Sequence, residues 1–345
     1  MRKMNVVVLT NTIDNAGDYL HRYASLRLIK SKMKVASIRE IDRTDAQLPE
    51  NNDTLESSDI IFIPGGPSFR QNLIPEICNV PEKFWWKTAL LGSGVKHRRM
   101  PPFNESTLRF LNTSLPVSVR DLATAAVAKK TIRDNQVCMT GCPVSSLTPA
   151  MINDDFGAAS SPNSPSIDVA LSDGQDYNKG ANQVVNHLGE LLPNSRIIRH
   201  SHRDSNQQEK NSVISIGGSH EKLINTYRSC RVHLGFRVHA HLVCLALGVP
   251  SLLIVEDERG ASLAEQYGCE TFDFRKRLFI LKVLNRIGFN AFSGFLAKKY
   301  AEQIIRKFDD APEKIQTHAA VSPLWDAYFL EVLEALKIRQ SEAVN

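Results

Sequence analysis

Short all-apolar runs alternate with segments whose apolar residues recur every three to four positions. Residues 5–10, 35–38, 60–63, 88–91, 117–119 and 136–139 read as strands buried on both faces. Residues 18–30 and 120–130 carry the helical period between them. Between 153 and 166 the composition turns to Asn, Asp, Gly, Ala, Ser and Pro, with Pro162 and Pro165, which reads as a linker. The alternation then restarts, with strands at 167–171, 196–199, 213–216, 231–235 and 251–255 and helices at 178–192 and 238–247. Helical patterns continue through Phe308, and residues 322–339 form a last helix with Pro323 in its first turn.

This pattern predicts an α/β protein with two doubly wound, parallel-sheet, Rossmann-like domains facing a cleft. The expected division is 1–152 for the first domain, 153–166 for the linker, 167–310 for the second domain and 311–345 for a C-terminal helix and tail. A chain of 345 residues exceeds one ordinary core, which agrees with two domains. A net charge of +5 is compatible with an acidic small ligand and falls short of the basic excess of a nucleic-acid binder. The apolar run at 6–9 is too short for a secretory signal, and the stretch at 242–255 is broken by Gly248 and Pro250, so no membrane span is expected. Any work on membrane-bound material would proceed by peripheral association. The six cysteines show no zinc-site or disulfide spacing and read as reduced, mostly buried thiols of a cytoplasmic protein.

The chemistry gathers at predicted strand ends, where open α/β sheets bind ligands. After the first strand stand Asn15, Gly17 and Asp18, in which Asp18 either caps the helix or handles a hydroxyl proton. Gly65 and Gly66 follow the third strand as a backbone nest for an anion or as a plain tight turn. Gly92 and Gly94 lead into a basic loop containing Lys96. Arg120 ends another strand, suited to a carboxylate or phosphate fork or to a structural ion pair. None of these matches a dinucleotide or Walker fingerprint.

The densest cluster is Gly235-Phe236-Arg237-Val238-His239-Ala240-His241, where a buried strand hands over to a helix. Residues two apart on a helix differ by about 200°, so Arg237 and His239 can share one ligand only if Arg237 precedes the helix. An earlier helix start would pair Arg237 with His241 instead.

In their order, these motifs resemble the polysaccharide pyruvyl transferase family. The resemblance rests on Asn15-Ala16-Gly17-Asp18, Ile63-Pro64-Gly65-Gly66, Leu91-Gly92-Ser93-Gly94-Val95, Val117-Ser118-Val119-Arg120-Asp121 and Thr140-Gly141-Cys142-Pro143. It continues with Phe236-Arg237-Val238-His239-Ala240-His241 and Leu247-Gly248-Val249-Pro250. It implies a GT-B-like fold and transfer of a pyruvyl group from phosphoenolpyruvate to a sugar as a ketal, with the acceptor on the first domain and the donor on the second. The acceptor would belong to a polysaccharide, an oligosaccharide or a lipid-linked saccharide. Arg237 and His239 match the family's Arg-x-His element at the donor site, and Asp18 matches its amino-terminal acid.

His239, Asp18 and Arg237 are therefore expected to be catalytic. Asn15, Gly17, Gly65, Gly66, Gly92, Arg120, His241 and Arg259 are expected to bind substrate. No metal and no cofactor beyond the phosphoenolpyruvate substrate is expected. Two departures are Pro67 in place of a third glycine and Arg259 where a lysine is expected. Competing readings are a GT-B glycosyltransferase using a nucleotide sugar and a non-catalytic carbohydrate-binding relative.

Overall fold

A computed structural model describes residues 2–10, 16–65, 69–95, 102–132, 136–157, 166–174, 178–200, 213–268, 271–309 and 324–344. It divides into two compact units: Met1–Thr12, His21–Ser146 and Val321–Asn345 in the first, and Ile13–Leu20 with Leu147–Ala320 in the second.

The first unit holds strands β1 (Met4–Thr10), β2 (Val35–Asp42), β3 (Ile60–Pro64), β4 (Thr88–Ser93), β5 (Val117–Val119) and β6 (Val137–Met139). They form one sheet in the order β2-β1-β3-β4-β5-β6, every recorded pair parallel. Its helices are α1 (Ala16–Lys32), α2 (Pro49–Ser57), α3 (Glu105–Thr113) and α4 (Leu122–Ala128). Along β1 the side chains alternate between two cores. Val7 and Leu9 join one, and Met4, Val6 and Val8 join the other, as expected of a strand covered on both faces.

The main segment of the second unit opens with α5 (Pro149–Phe156), which starts at the Thr148 cap with Pro149 in its first turn and runs four residues into the expected linker, up to Gly157. Then follow β7 (Ile167–Ser172), α6 (Lys179–Leu191), β8 (Ser195–Arg199), β9 (Val213–Ser215), α7 (His220–Arg228) and β10 (Cys230–Gly235). The unit continues with α8 (Val238–Ala246), β11 (Ser251–Val255), α9 (Glu258–Tyr267), β12 (Thr271–Asp273), α10 (Arg275–Arg286) and α11 (Asn290–Asp309). Its parallel sheet runs β12-β11-β10-β7-β8-β9. Counted from its own first strand this is the 3-2-1-4-5-6 order of a dinucleotide-binding fold.

The last helix, α12 (Leu324–Val344), packs in the first unit. Its Trp325, Tyr328, Phe329, Val332 and Leu336 share a core with Val6, Val8, Ile60, Phe62, Ala89 and Leu91. Tyr328 donates its hydroxyl proton to the Leu90 carbonyl at 2.8 Å. The five described cysteines, Cys78, Cys138, Cys142, Cys230 and Cys244, are thiols, all but Cys138 buried.

Candidate active site

Strand order reverses in the second sheet between β7 and β10, and this switch point is where open α/β sheets hold ligands. β7 ends at Ser172, with Asp173 next; β10 ends at Gly235, with Phe236 and Arg237 next. The two strand ends approach so closely that a Cβ on Gly235 would sit 2.2 Å from Ser172 Oγ and 2.5 Å from its carbonyl oxygen. Only glycine permits that approach.

Arg237 has extended backbone angles (φ −83°, ψ 113°) and occupies the N-cap position of α8. It therefore lies before the helix, with His239 in the first turn, which is the arrangement that lets both reach one ligand. The half-buried Arg237 is anchored twice. Its Nε donates to Asp173 Oδ1 at 2.8 Å, and its backbone N–H donates to Ser172 Oγ at 3.1 Å.

Behind it runs a buried chain of polar groups. Ser172 Oγ lies 2.9 Å from His233 Nε2, and His233 Nδ1 lies 2.7 Å from Ser251 Oγ. Ser251 Oγ in turn lies 2.7 Å from His241 Nδ1. Burial pushes both imidazoles toward the neutral form, His233 well below its usual range and His241 to about 4. Ser251 has one hydroxyl proton to share between two Nδ1 atoms, so the two neutral rings carry opposite tautomers. His200, at the end of β8 and 2.7 Å from Tyr227 Oη, is held neutral first by burial and then by the charge of Arg237, with His233 and His239 also near enough to oppose its protonation. Arg237 and His239 thus lie within electrostatic reach of the same ring.

The end of β11 completes the cluster. Asp257 caps α9 by accepting from the N–H groups of Arg259 and Gly260, and it accepts from Arg259 Nε at 2.7 Å. Glu256 accepts from Asn178 Nδ2 at 2.8 Å. Burial, aided by Asp257, raises its carboxyl to about 7 against the pull of Arg237 and Arg259. Both guanidinium groups therefore act on one carboxyl that titrates near neutrality. The two arginines, each paired with an acid beside a helix start, carry guanidinium groups of the kind that pair with carboxylates and phosphates.

Several sequence expectations are corrected. His241 is fully buried and hydrogen-bonded to Ser251, so it lies behind Arg237 and His239 and not at the exposed, ligand-facing position expected of it. The Gly65 N–H donates to the Leu91 carbonyl at 2.7 Å, and its Cα packs against the Gly92 backbone, where a Cβ would meet the Gly92 oxygen at 2.1 Å. Its N–H is therefore engaged in strand packing. Gly92 takes a left-handed φ of +65° and donates its N–H to Ser118 Oγ at 2.8 Å, so it serves the backbone as well. Arg120 is buried in the first unit, its Nε donating to Asp121 Oδ2 at 3.1 Å. This is the structural ion pair, although its Nη2 finds no hydrogen-bond partner among the described residues.

Asp18 lies half-buried and Gly17 buried in the first turn of α1, a turn that clusters with the second unit. There the N–H of Ala16 donates to the His200 carbonyl at 2.9 Å. Asn15, Gly66 and Lys96 lie outside the described residues. Sequence reasoning missed Asp173, Asn178, His200, His233, Ser251 and Glu256. The usable signal for Asp173, His200 and Glu256 was position, since each directly follows a strand of the second sheet.

The fold has relatives of low sequence identity. S. aureus MnaA, in a co-structure with UDP, matches with a TM-score of 0.59 at 8% identity, over 98% of this chain and 97% of that one. UDP-N-acetylglucosamine 2-epimerase from Rickettsia bellii matches with a TM-score of 0.51 at 11% identity, over 99% and 97%. Both likenesses are GT-B-like and concern the fold alone. No curated protein sequence matches the chain. The sequence profile of the polysaccharide pyruvyl transferases matches residues 15–258, more than two thirds of the chain, and with the strand-end cluster at Arg237 and His239 inside that span, the chain belongs to the polysaccharide pyruvyl transferase family.

Proposed function

We propose that this protein transfers the pyruvyl group of phosphoenolpyruvate to a sugar, closing a ketal over two hydroxyls and releasing phosphate. The observation that carries the reading is the position of Arg237, anchored by Asp173 and Ser172 at the switch point with His239 one step into α8. Arg237 binds the donor's carboxylate or phosphate, and Arg259, which shares Glu256 with it, is the second cation. His239 protonates the methylene carbon, which becomes a methyl group and leaves an oxocarbenium-like centre at C2. One sugar hydroxyl adds to C2 and gives its proton to Asp18. The C2–O bond to phosphate then breaks, the second hydroxyl adds, and its proton leaves with phosphate. The proton taken by Asp18 restores His239 through solvent, so the cycle is balanced.

Support comes from the family, from the paired arginines, and from the tie between the Ala16 N–H and the His200 carbonyl in the turn that bears Asp18. The test is a mass-spectrometric screen of glycan acceptors with phosphoenolpyruvate, read as the pyruvate adduct and as released phosphate. Replacing His239 with Ala is expected to slow turnover by roughly 100- to 10,000-fold, the usual worth of a positioned acid. Wild-type turnover in that variant would remove His239 from the mechanism. Thermal stabilisation by uridine diphosphate and none by phosphoenolpyruvate would favour a nucleotide-sugar enzyme over the present reading. Binding of donor and glycan with no turnover on a broad panel would make the protein a carbohydrate-binding relative.

A further inference from the structure

Twelve large apolar side chains are exposed among the described residues, and seven of them fall between positions 279 and 295: Phe279, Ile280, Val283, Ile287, Phe289, Phe292 and Phe295. They lie on α10, on the short turn after it, and on the first two turns of α11. The inner faces of these helices are accounted for, since Leu278, Leu281, Ala297, Ala301 and Ile304 join the core of the second sheet. Their outer faces are apolar as well. Phe279 is 68% exposed, Phe289 60% and Phe295 61%, and the rings of Phe292 and Phe295 stack at 6.4 Å. A soluble surface seldom gathers so many large apolar groups unless something covers them.

The charge of the same segment is one-sided. Positions 275–301 contain seven Lys or Arg and no Asp or Glu. The whole chain carries +5, so the remainder sums to 5 − 7 = −2 and the excess sits in this segment. Arg275 is paired with Asp273 and Glu258, and Arg277 lies over the rings of Phe272, Phe274 and Tyr300. Lys276, Lys282, Arg286, Lys298 and Lys299 are exposed around the aromatic face.

We infer that α10, the following turn and the start of α11 form a docking surface for an anionic lipid bilayer, with the Phe and Ile side chains entering the interface and the Lys and Arg side chains meeting the headgroups. Charge selects this occupant over a second copy of the chain. A two-fold contact would press the patch against itself and bring like charges together without an acid in the segment to neutralise them. A bilayer bearing negative lipids supplies both the apolar layer and the countercharge. No helix among the described residues is long and apolar enough to cross a membrane, so the contact is a surface one. The inference does not depend on the pyruvyl reading, because it rests on other residues.

Co-sedimentation of the full chain with vesicles tests it, comparing phosphatidylcholine alone with a mixture containing about 30% phosphatidylglycerol. Binding to the anionic vesicles is expected to exceed binding to the neutral ones by about tenfold or more and to weaken with salt. One variant carries Phe279→Ser, Phe289→Ser, Phe292→Ser and Phe295→Ser, and a second carries Lys282→Glu, Arg286→Glu, Lys298→Glu and Lys299→Glu. Each is expected to lose about tenfold or more of the binding with an unchanged circular dichroism spectrum. If the serine set does not fold, the charge-reversal set, confined to exposed side chains, carries the test. Absence of wild-type binding to anionic vesicles, or wild-type binding by both variants, overturns the proposal. So does a lipid-free dimer that the serine variant converts to monomer, which would give the face to a second copy.

Discussion

Burial and the neighbouring Asp257 together hold the Glu256 carboxyl near 7, although Arg237 and Arg259 both favour its charged form. Its usual value is 4.5, so between about 4.5 and 7 the folded chain keeps a proton that the unfolded chain has released. The stabilisation is full below the lower value and is lost as pH rises through that window. At about 1.4 kcal/mol per unit it is bounded by about 4 kcal/mol. Glu256→Gln keeps the shape and removes the titration. The stability of the wild type relative to this variant is therefore expected to fall between about pH 4 and pH 8. Urea unfolding of both proteins at several pH values measures it, and a difference that stays flat across the window would show that Glu256 does not titrate there. This residue was not legible in the sequence. Glu256-Asp257-Glu258-Arg259 looks like a solvated charge run, and only the fold sets its first member beside Asn178 with two arginines acting on it. The turn from β10 into α8 was legible because Arg237 and His239 cluster where an apolar run ends, whereas His241, in the same motif, is turned inward onto Ser251.

At the scale of elements, the central strands such as β3, β4 and β11 could be read because burial on both faces leaves an uninterrupted apolar run. α2 and α3 could not. Among the residues of α2 only Leu55 is buried, and the apolar face of the nine-residue α3 is limited to Leu108, Phe110 and Leu111, so neither repeats its apolar positions over enough turns to stand out. β12 is only three residues long and was merged into the helical pattern around it. The glycine-bearing strand ends were found, and the structure adds a packing role: Gly65 serves the approach of β3 and β4, and Gly235 serves that of β7 and β10. The second pairing is testable. A methyl group at Gly235 must displace Ser172, which accepts from the Arg237 N–H and adjoins His233. Gly235→Ala is expected to cost roughly 1–3 kcal/mol of stability and also to weaken binding of anions at Arg237. Gly260→Ala is the control, since its Cβ would meet Val255 at an ordinary 3.5 Å. There the change is expected to be neutral or stabilising by up to about 1 kcal/mol. Calorimetry with and without phosphoenolpyruvate separates the two, and equal behaviour of the variants would show that the strand approach at Gly235 does not position Arg237.

At the scale of the whole molecule, the sequence set residues 311–345 apart as a helix and tail, because local patterns carry no information about which distant surface a terminal helix covers. A parallel sheet needs both faces covered. In the first unit one face is closed by α12, where Trp325, Tyr328 and Phe329 pack with Val8, Phe62 and Leu91. A first domain ending near residue 152 therefore lacks part of its own core. Trp325→Ala is expected to destabilise the first unit by about 3–5 kcal/mol, the range for a large aromatic lost from a core. Tyr328→Phe keeps the ring and removes only the hydrogen bond to the Leu90 carbonyl, for about 1 kcal/mol. A chain ending before Leu324 would lose both, together with Val332 and Leu336, and would expose Phe62 and Leu91 at the sheet's centre. That chain is expected to lose protection of the β1, β3 and β4 amides in hydrogen exchange while those of β7 and β10 stay protected. Retained protection in β1 and β3 would mean that the first sheet is stable without its terminal helix. The expected result would make the first unit a fold assembled from both ends of the chain, completed only once the last helix has been made.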